Sequence, residues 1–197
     1  MVDVSYNITD DDDDGHDTGS AWAIHTNNYS GSGDFTVKDA PSGVWQGGVR
    51  FQAVDVPQGA TIDSATITLY ADGSLSGFDS FTAYGDDVDD AAVWSNSSRP
   101  ASGFTDTTAG TTNNSPPGAG VTFELEIADC VQDIVDRGGW SALNAMRFRI
   151  LPAATYQESE IADHDGGHSN EAVLDISYTA GSSGIVIFRR RIQVRTQ

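Results

Sequence analysis

The feature that most constrains the fold of this chain is a strict alternation of apolar and polar residues in short runs. In VTFELEI, residues 121–127, the apolar side chains fall on one face and Thr122, Glu124 and Glu126 on the other. A period of two is the pattern of a β-strand with one buried face. SATITLY (64–70), MRFRI (146–150) and AVLDISY (172–178) repeat it. In MRFRI the pattern predicts that Arg147 and Arg149 are exposed.

Further strands are predicted in GVRFQAVDV (48–56) and FDSFTAYG (78–85), and turn-forming residues separate the runs. A short helix is expected near 129–137, with Asp129 as its N-cap and Gly138 after its end. Many strands and one helix predict an all-β protein, an antiparallel jelly-roll β-sandwich with a C-terminal β arm. The expected domain is 1–180, of which 1–44 form an acidic leader and the first strands.

The charge of the chain limits its partners. Net charge is −19, with 29 acidic and 10 basic residues, and every acidic residue precedes residue 181. Nucleic acid is therefore not an expected partner, because its phosphates would be repelled. No apolar run is long enough to span a membrane. The first residues lack the basic and apolar regions of a signal peptide, so the general secretion route is not expected. The single cysteine, Cys130, is expected to be a buried apolar residue.

The segment TDDDDDGHDTGSA, residues 9–21, matches the first half of a calcium-binding loop. The candidate ligands of a structural Ca²⁺ ion are Asp10, Asp12, Asp14 and Asp17. The match is incomplete, because the position of the bidentate glutamate is occupied by Ala21. The alternative is an acidic leader solvated by water.

Two other polar clusters could bind metal ions. GDDVDDA holds Asp86, Asp87, Asp89 and Asp90, which fit a hard-cation site or a structural turn. DHDGGH (163–168) holds two histidines and two aspartates, which fit a transition-metal site or a polar hairpin loop.

The chain carries no recognised nucleophile or metalloprotease motif. Glu158 and Glu160 are the one pair that could act as glycosidase carboxylates, but an i, i+2 spacing on a strand is weak support. We therefore expect no enzymatic activity. Trp45 and Trp94 lie in polar surroundings and are candidate stacking platforms for a glycan. The alternative is that they fill small satellite cores.

The last residues form a distinct segment, GSSGIVIFRRRIQVRTQ, which holds four arginines and no acid. GSSG predicts a flexible linker, and the rest predicts an apolar, cationic β-strand. Such a strand either closes the sandwich or docks on an edge of another subunit or partner. The predicted docking residues are Ile185, Ile187, Phe188, Arg189, Arg190, Arg191, Ile192, Val194 and Arg195.

Residues 45–180 resemble the jelly-roll module of the DNRLRE-type and carbohydrate-binding-module-like domains. The motifs that carry the resemblance are PQGATI (57–62) before a strand and RGGW (137–140) after the helix. Single-domain members occur among the structural proteins of tailed phages, and secreted relatives bind glycans. The resemblance therefore implies a virion protein, in the capsid or the tail, whose partners are other virion proteins and copies of itself. The alternative is a module that binds host-surface or marine glycans.

Overall fold

The computed structural model describes residues 1–23, 34–73, 80–112, 120–153, 155, 157–164 and 170–181. They form twelve β-strands, one α-helix and a 3-10 turn at Asp11–Asp13. The helix α1 spans Ala128–Val135. The strands are β1 (Val2–Asn7), β2 (Asp14–Asp17), β3 (Trp22–Ala23), β4 (Asp34–Ala40), β5 (Gly43–Phe51), β6 (Thr61–Gly73), β7 (Phe81–Asp86), β8 (Asp106–Ala109), β9 (Val121–Glu126), β10 (Met146–Pro152), β11 (Gln157–Ala162) and β12 (Val173–Thr179).

The strands form one curled antiparallel sheet in the order β1-β12-β6-β11-β4-β5-β10-β7-β8. β9 also pairs with β6, and β2 also pairs with β5. In this spatial order, the first layer, which we call sheet A, consists of β1, β12, β6, β11 and β4. The second layer, sheet B, consists of β5, β10, β7 and β8. The fold is therefore the predicted jelly-roll β-sandwich, and β4 and β5 join its layers at one corner.

The core lies between the layers and follows the alternation in the sequence. Phe123 and Leu125 of β9 are buried, as are Leu174 and Ile176 of β12. The helix covers one end of the core by packing against β6, β7 and β8. Cys130 is buried there, as predicted, and its Sγ lies 3.1 Å from the carbonyl oxygen of Thr108.

The boundaries of three elements differ from the predictions. The helix begins one residue early, and its N-cap is Ile127, which makes no side-chain capping bond; Asp129 lies within the first turn instead. β5 begins at Gly43 and ends at Phe51, where the chain turns through a positive φ of 51° at Ala53. No strand was predicted between residues 95 and 120, but strand β8 (Asp106–Ala109) lies there.

The prediction that Arg147 is exposed is wrong, because the outer face of sheet B is covered by a loop. Residues 91–105, which we call the covering loop, pack over that face. Arg147 is 3% exposed and binds Asp86, which is 1% exposed, at 2.5 Å. Its guanidinium also donates to the carbonyl oxygen of Gly103 and to the hydroxyl of Ser98. The alternation identified the outer face correctly, but it carries no information about what covers that face.

Replacing Arg147 with methionine should destabilise the fold strongly. It removes the partner of the buried Asp86 carboxylate, which typically costs about 3–5 kcal/mol. Arg137→Met is the matched control, because Arg137 pairs with the more exposed Asp87 and Asp89. It should cost no more than about 1 kcal/mol. Urea unfolding measures both changes in the free energy of unfolding. Equal changes would show that the buried pair contributes no more to stability than the exposed pairs.

Candidate binding surfaces

The outer face of sheet A carries an open groove between β1, β12 and β6. Its volume is about 340 Å³, and it is lined by Asp3, Val4, Ser5, Ser64, Thr66, Asp175, Ile176 and Ser177. The alternation of each strand produces this composition, since the hydroxyls and carboxylates occupy positions that face away from the core. Ser177 donates its hydroxyl to Asp3 at 2.7 Å. The groove thus presents carboxylates and hydroxyls, and none of the described residues that line it is basic.

Trp45 lies at the corner where β4 pairs with β5, and it is half-buried. The ammonium of Lys38 lies 3.5 Å from the centre of its ring. His16 stacks on the ring, with 4.8 Å between ring centres. Lys38 also pairs with Glu158 at 3.9 Å. Part of the indole is therefore accessible at the surface, but its faces already carry contacts within the chain.

Trp94 is not an exposed platform, contrary to the prediction. It is 4% exposed and lies in the covering loop, between Trp22 at 5.0 Å and Phe104 at 6.0 Å. The guanidinium of Arg147 lies 4.6 Å from its ring centre. A Cβ atom at Gly48 of β5 would come within 2.9 Å of both Trp22 and Trp94, so the glycine allows this close packing. Trp94 therefore fills a small core outside the sandwich, which was the alternative considered for it.

The second half of the acidic run is buried, whereas its first three aspartates, at 10–12, are exposed. Asp13, Asp14 and Asp17 are 1%, 2% and 0% exposed. Asp13 accepts hydrogen bonds from Arg50 and Gln52, both at 2.6 Å. Asp17 pairs with Arg99 of the covering loop at 2.5 Å. These carboxylates attach the leader to sheet B and to the covering loop.

The four predicted calcium ligands do not converge on one point. Asp10 caps the 3-10 turn, Asp12 is exposed, Asp14 accepts from the backbone of His164 at 2.8 Å, and Asp17 is held by Arg99. Within the described ranges, no group of three or more histidine, cysteine, aspartate or glutamate side chains is arranged to hold a metal ion. Calcium binding by the leader stays a prediction without geometric support.

The described residues of the other two polar clusters make contacts within the chain. In the first, Asp86 binds Arg147, Asp87 and Asp89 bind Arg137, and Asp90 accepts from the backbone of Ala145. These contacts fit the alternative of a structural turn. In the DHDGGH cluster, the ring of His164 lies 2.9 Å from Asp11. Asp165 and His168 lie outside the described residues.

Asp14 and His16 are the two groups whose titration is shifted most clearly. Burial raises the pKa of Asp14 to about 8, and the neighbouring carboxylates of Asp163, Asp13 and Asp11 add to the shift. The hydrogen bond from the His164 backbone opposes it. Burial, together with the nearby Lys38 ammonium, lowers the pKa of His16 to about 4. Each shift favours the neutral form of a buried group.

The predicted docking segment, Ile185–Arg195, lies outside the described residues. Glu158 and Glu160 lie on β11, and burial raises the pKa of Glu160. The one helix within the described ranges is eight residues long, too short to cross a membrane. Sequence reasoning missed Asp13 as a structural carboxylate and missed the groove, since neither has a local sequence signal.

Comparisons with known proteins do not establish a family. No model of a known protein family matches the chain, and no curated protein matches it. Among solved structures it is similar to the CBM22-1–GH10 modules of an endo-1,4-β-D-xylanase 10B from Clostridium thermocellum, solved with xylohexaose. Sequence identity is 10%, the TM-score is 0.41, and the match covers 91% of this chain but 28% of the xylanase chain. At this TM-score the likeness indicates neither kinship nor a ligand.

The stability of the protein should fall as the pH rises from 6.5 to 8. Folding raises the pKa of Asp14 from 3.8 to about 8, so between pH 6.5 and 8 the folded state retains a proton that the unfolded state has already lost. His16 acts in the opposite sense, but only between about 4 and 6.5. Above pH 6.5 the contribution of Asp14 can therefore be separated from that of His16. It lowers the free energy of unfolding by at most about 2 kcal/mol.

Asp14→Asn should remove this dependence while retaining an oxygen that accepts from His164. The free energy of unfolding, measured in urea at pH 6.5, 7.2 and 8, should be flat for Asp14→Asn. Asp12→Asn, at an exposed position, should retain the slope of the wild type. A slope unchanged in Asp14→Asn would assign the titration to another group.

Proposed function

We propose that this protein is a non-enzymatic structural protein of a tailed-phage particle, in the capsid or the tail, which assembles through residues 185–197. One observation carries the proposal, namely the distribution of charge. Each of the six basic side chains among the described residues pairs with a carboxylate of its own chain. The four arginines at 189, 190, 191 and 195 belong to a segment that has no acid.

This distribution favours association between copies or with another acidic virion protein. The six basic residues of the described sandwich pair within the chain and leave an acidic surface, whereas the sequence of the C-terminal segment holds four arginines and no acid. Complementary charges of this kind steer proteins together and select partners. An acidic surface also disfavours nucleic acid as a partner. The ion pairs that hold the leader and the covering loop suit a rigid displayed module.

The virion location is the finer part of the proposal and rests on the sequence resemblance. A phage protein is made in the host cytoplasm and released by lysis, so it reaches the outside without a secretion signal.

A second candidate is a carbohydrate-binding module, favoured by the partly accessible Trp45. Indole rings bind sugars by stacking, and the carboxylates of Glu158 and Asp39 lie on strands that pair at the same corner. The sugar would need to displace or share the contacts that Lys38 and His16 make with the ring. Host-surface and marine glycans are the ligands to test.

Ending the chain at Gly181 should abolish assembly and leave the sandwich folded. Sedimentation velocity and copurification with phage particles would measure assembly, and the urea midpoint would measure folding. A full-length control with glutamine at 189, 190, 191 and 195 keeps the apolar residues and removes the charge. It should assemble more weakly than the wild type. If the shortened chain assembles as the full chain does, the segment is not an anchor.

Glycan binding is tested independently at Trp45. If the second candidate holds, Trp45→Ala should lose a glycan-array signal, and Trp45→Phe should retain part of it because a stacking ring remains. Trp94→Ala should lower stability by about 3–5 kcal/mol, since it empties a buried site. A wild-type protein that gives no signal on the array would remove the glycan candidate.

A further inference from the structure

Strand β1 is an edge of sheet A. Among the described strands, Val2–Asn7 pairs only with β12, from Val2↔Tyr178 to Asn7↔Val173. The other side of such a strand offers backbone N–H and C=O groups to an added strand. The groove described above lies beside this edge, because Asp3, Val4 and Ser5 of β1 form one of its walls. Backbone pairing and side-chain recognition can therefore act on the same ligand.

The groove fits a cationic ligand. Asp3 and Asp175 supply two exposed carboxylates, whereas the side chain of Ile176 is buried in the core and that of Val4 packs against the core. None of the described lining residues carries an aromatic ring, so these residues offer a neutral sugar hydrogen bonds but no stacking surface. Charge-assisted hydrogen bonds are about twice as strong as neutral ones, which favours a ligand carrying guanidinium groups.

The spacing of the two carboxylates matches an extended strand. Asp3 lies opposite Ser177 and Ser5 lies opposite Asp175, so the two aspartates are diagonal neighbours on one face. Diagonal neighbours are about 7–8 Å apart. Side chains at i and i+2 of a strand share a face and are separated by about 6.6–6.8 Å. Arg189 and Arg191 have this spacing in the sequence, and Phe188 and Ile192 alternate with them.

We propose that the groove between β1, β12 and β6 is the docking site for residues 185–197 of a neighbouring copy. In this arrangement Arg189 and Arg191 bind Asp3 and Asp175, and the segment extends along the free edge of β1. The inference rests on the assembly role proposed above and names the surface that receives the segment. It predicts a head-to-tail contact, since the segment and the groove are different surfaces of one chain.

Disulfide trapping in full-length protein tests the site directly. One chain carries Ser5→Cys in the groove and a second carries Gln193→Cys, which shares the arginine face of an extended strand. The native Cys130 is buried and does not compete. Mixing the two chains should give a covalent dimer at least about tenfold faster than when the first chain carries Ser141→Cys, an exposed position outside the groove.

Neutralising the groove provides a second measurement. Asp3→Asn with Asp175→Asn should weaken self-association about fivefold, because exposed ion pairs each contribute little. Asp129→Asn with Asp136→Asn changes the net charge equally on the exposed face of α1 and should leave association unchanged. The difference between the two variants should shrink at about 1 M salt, where the Debye length is about 3 Å.

The outcomes separate the two proposals. If the chain ending at Gly181 fails to assemble but Ser5→Cys and Ser141→Cys trap the partner equally, the segment docks elsewhere and this inference is wrong. If a chain carrying both Ser5→Cys and Gln193→Cys forms only an intramolecular disulfide when it is diluted, the segment in the groove comes from the same chain and not from a neighbouring copy. If ending the chain at Gly181 leaves assembly unchanged, the assembly role itself fails.

Discussion

The buried Arg147–Asp86 pair is the contact on which the second layer of the sandwich depends. Asp86 is the last residue of β7 and Arg147 is the second residue of β10, so the pair joins two strands on the face away from the core. The remaining donors of Arg147 go to the covering loop, and its plane lies near the ring of Trp94. A charge buried in this way is tolerated only when fully paired, so the strands and the loop must assemble together.

The other arginines repeat this arrangement at the rim. Arg50 holds Asp13, Arg99 holds Asp17, and Arg149 binds Asp106 and donates to the carbonyl oxygen of Pro100. Ion pairs thus attach the leader and the covering loop to sheet B and join β8 to β10 within it, while sheet A is left with an acidic outer face. This division underlies both the proposed assembly role and the groove proposed to receive the C-terminal segment.

The alternation of residues predicted sheet A well, because its strands have one face in the core and one in solvent. Phe123, Leu125, Leu174 and Ile176 all lie where their period of two puts them. Sheet B was harder to predict because both of its faces are covered. A loop that is distant in sequence covers the outer face, and such a contact leaves no periodic pattern in the sequence of the strands. The same reason explains the buried leader. A run of aspartates indicates solvent or metal when only neighbours in sequence are considered, whereas the arginines that bind it lie 37 and 82 residues away.

The corner that joins the two layers contains its own reporter. Lys38 is the single lysine of the chain, it is 8% exposed, and its ammonium lies over the indole of Trp45. This amine is shielded in the folded protein, so a reagent that acylates lysine side chains should react with it faster when β4 and β5 separate. The same separation removes the cation from the indole and changes its fluorescence. Chemical labelling and optical spectroscopy would therefore follow a single opening of the sandwich at its corner through two residues that the chain already carries.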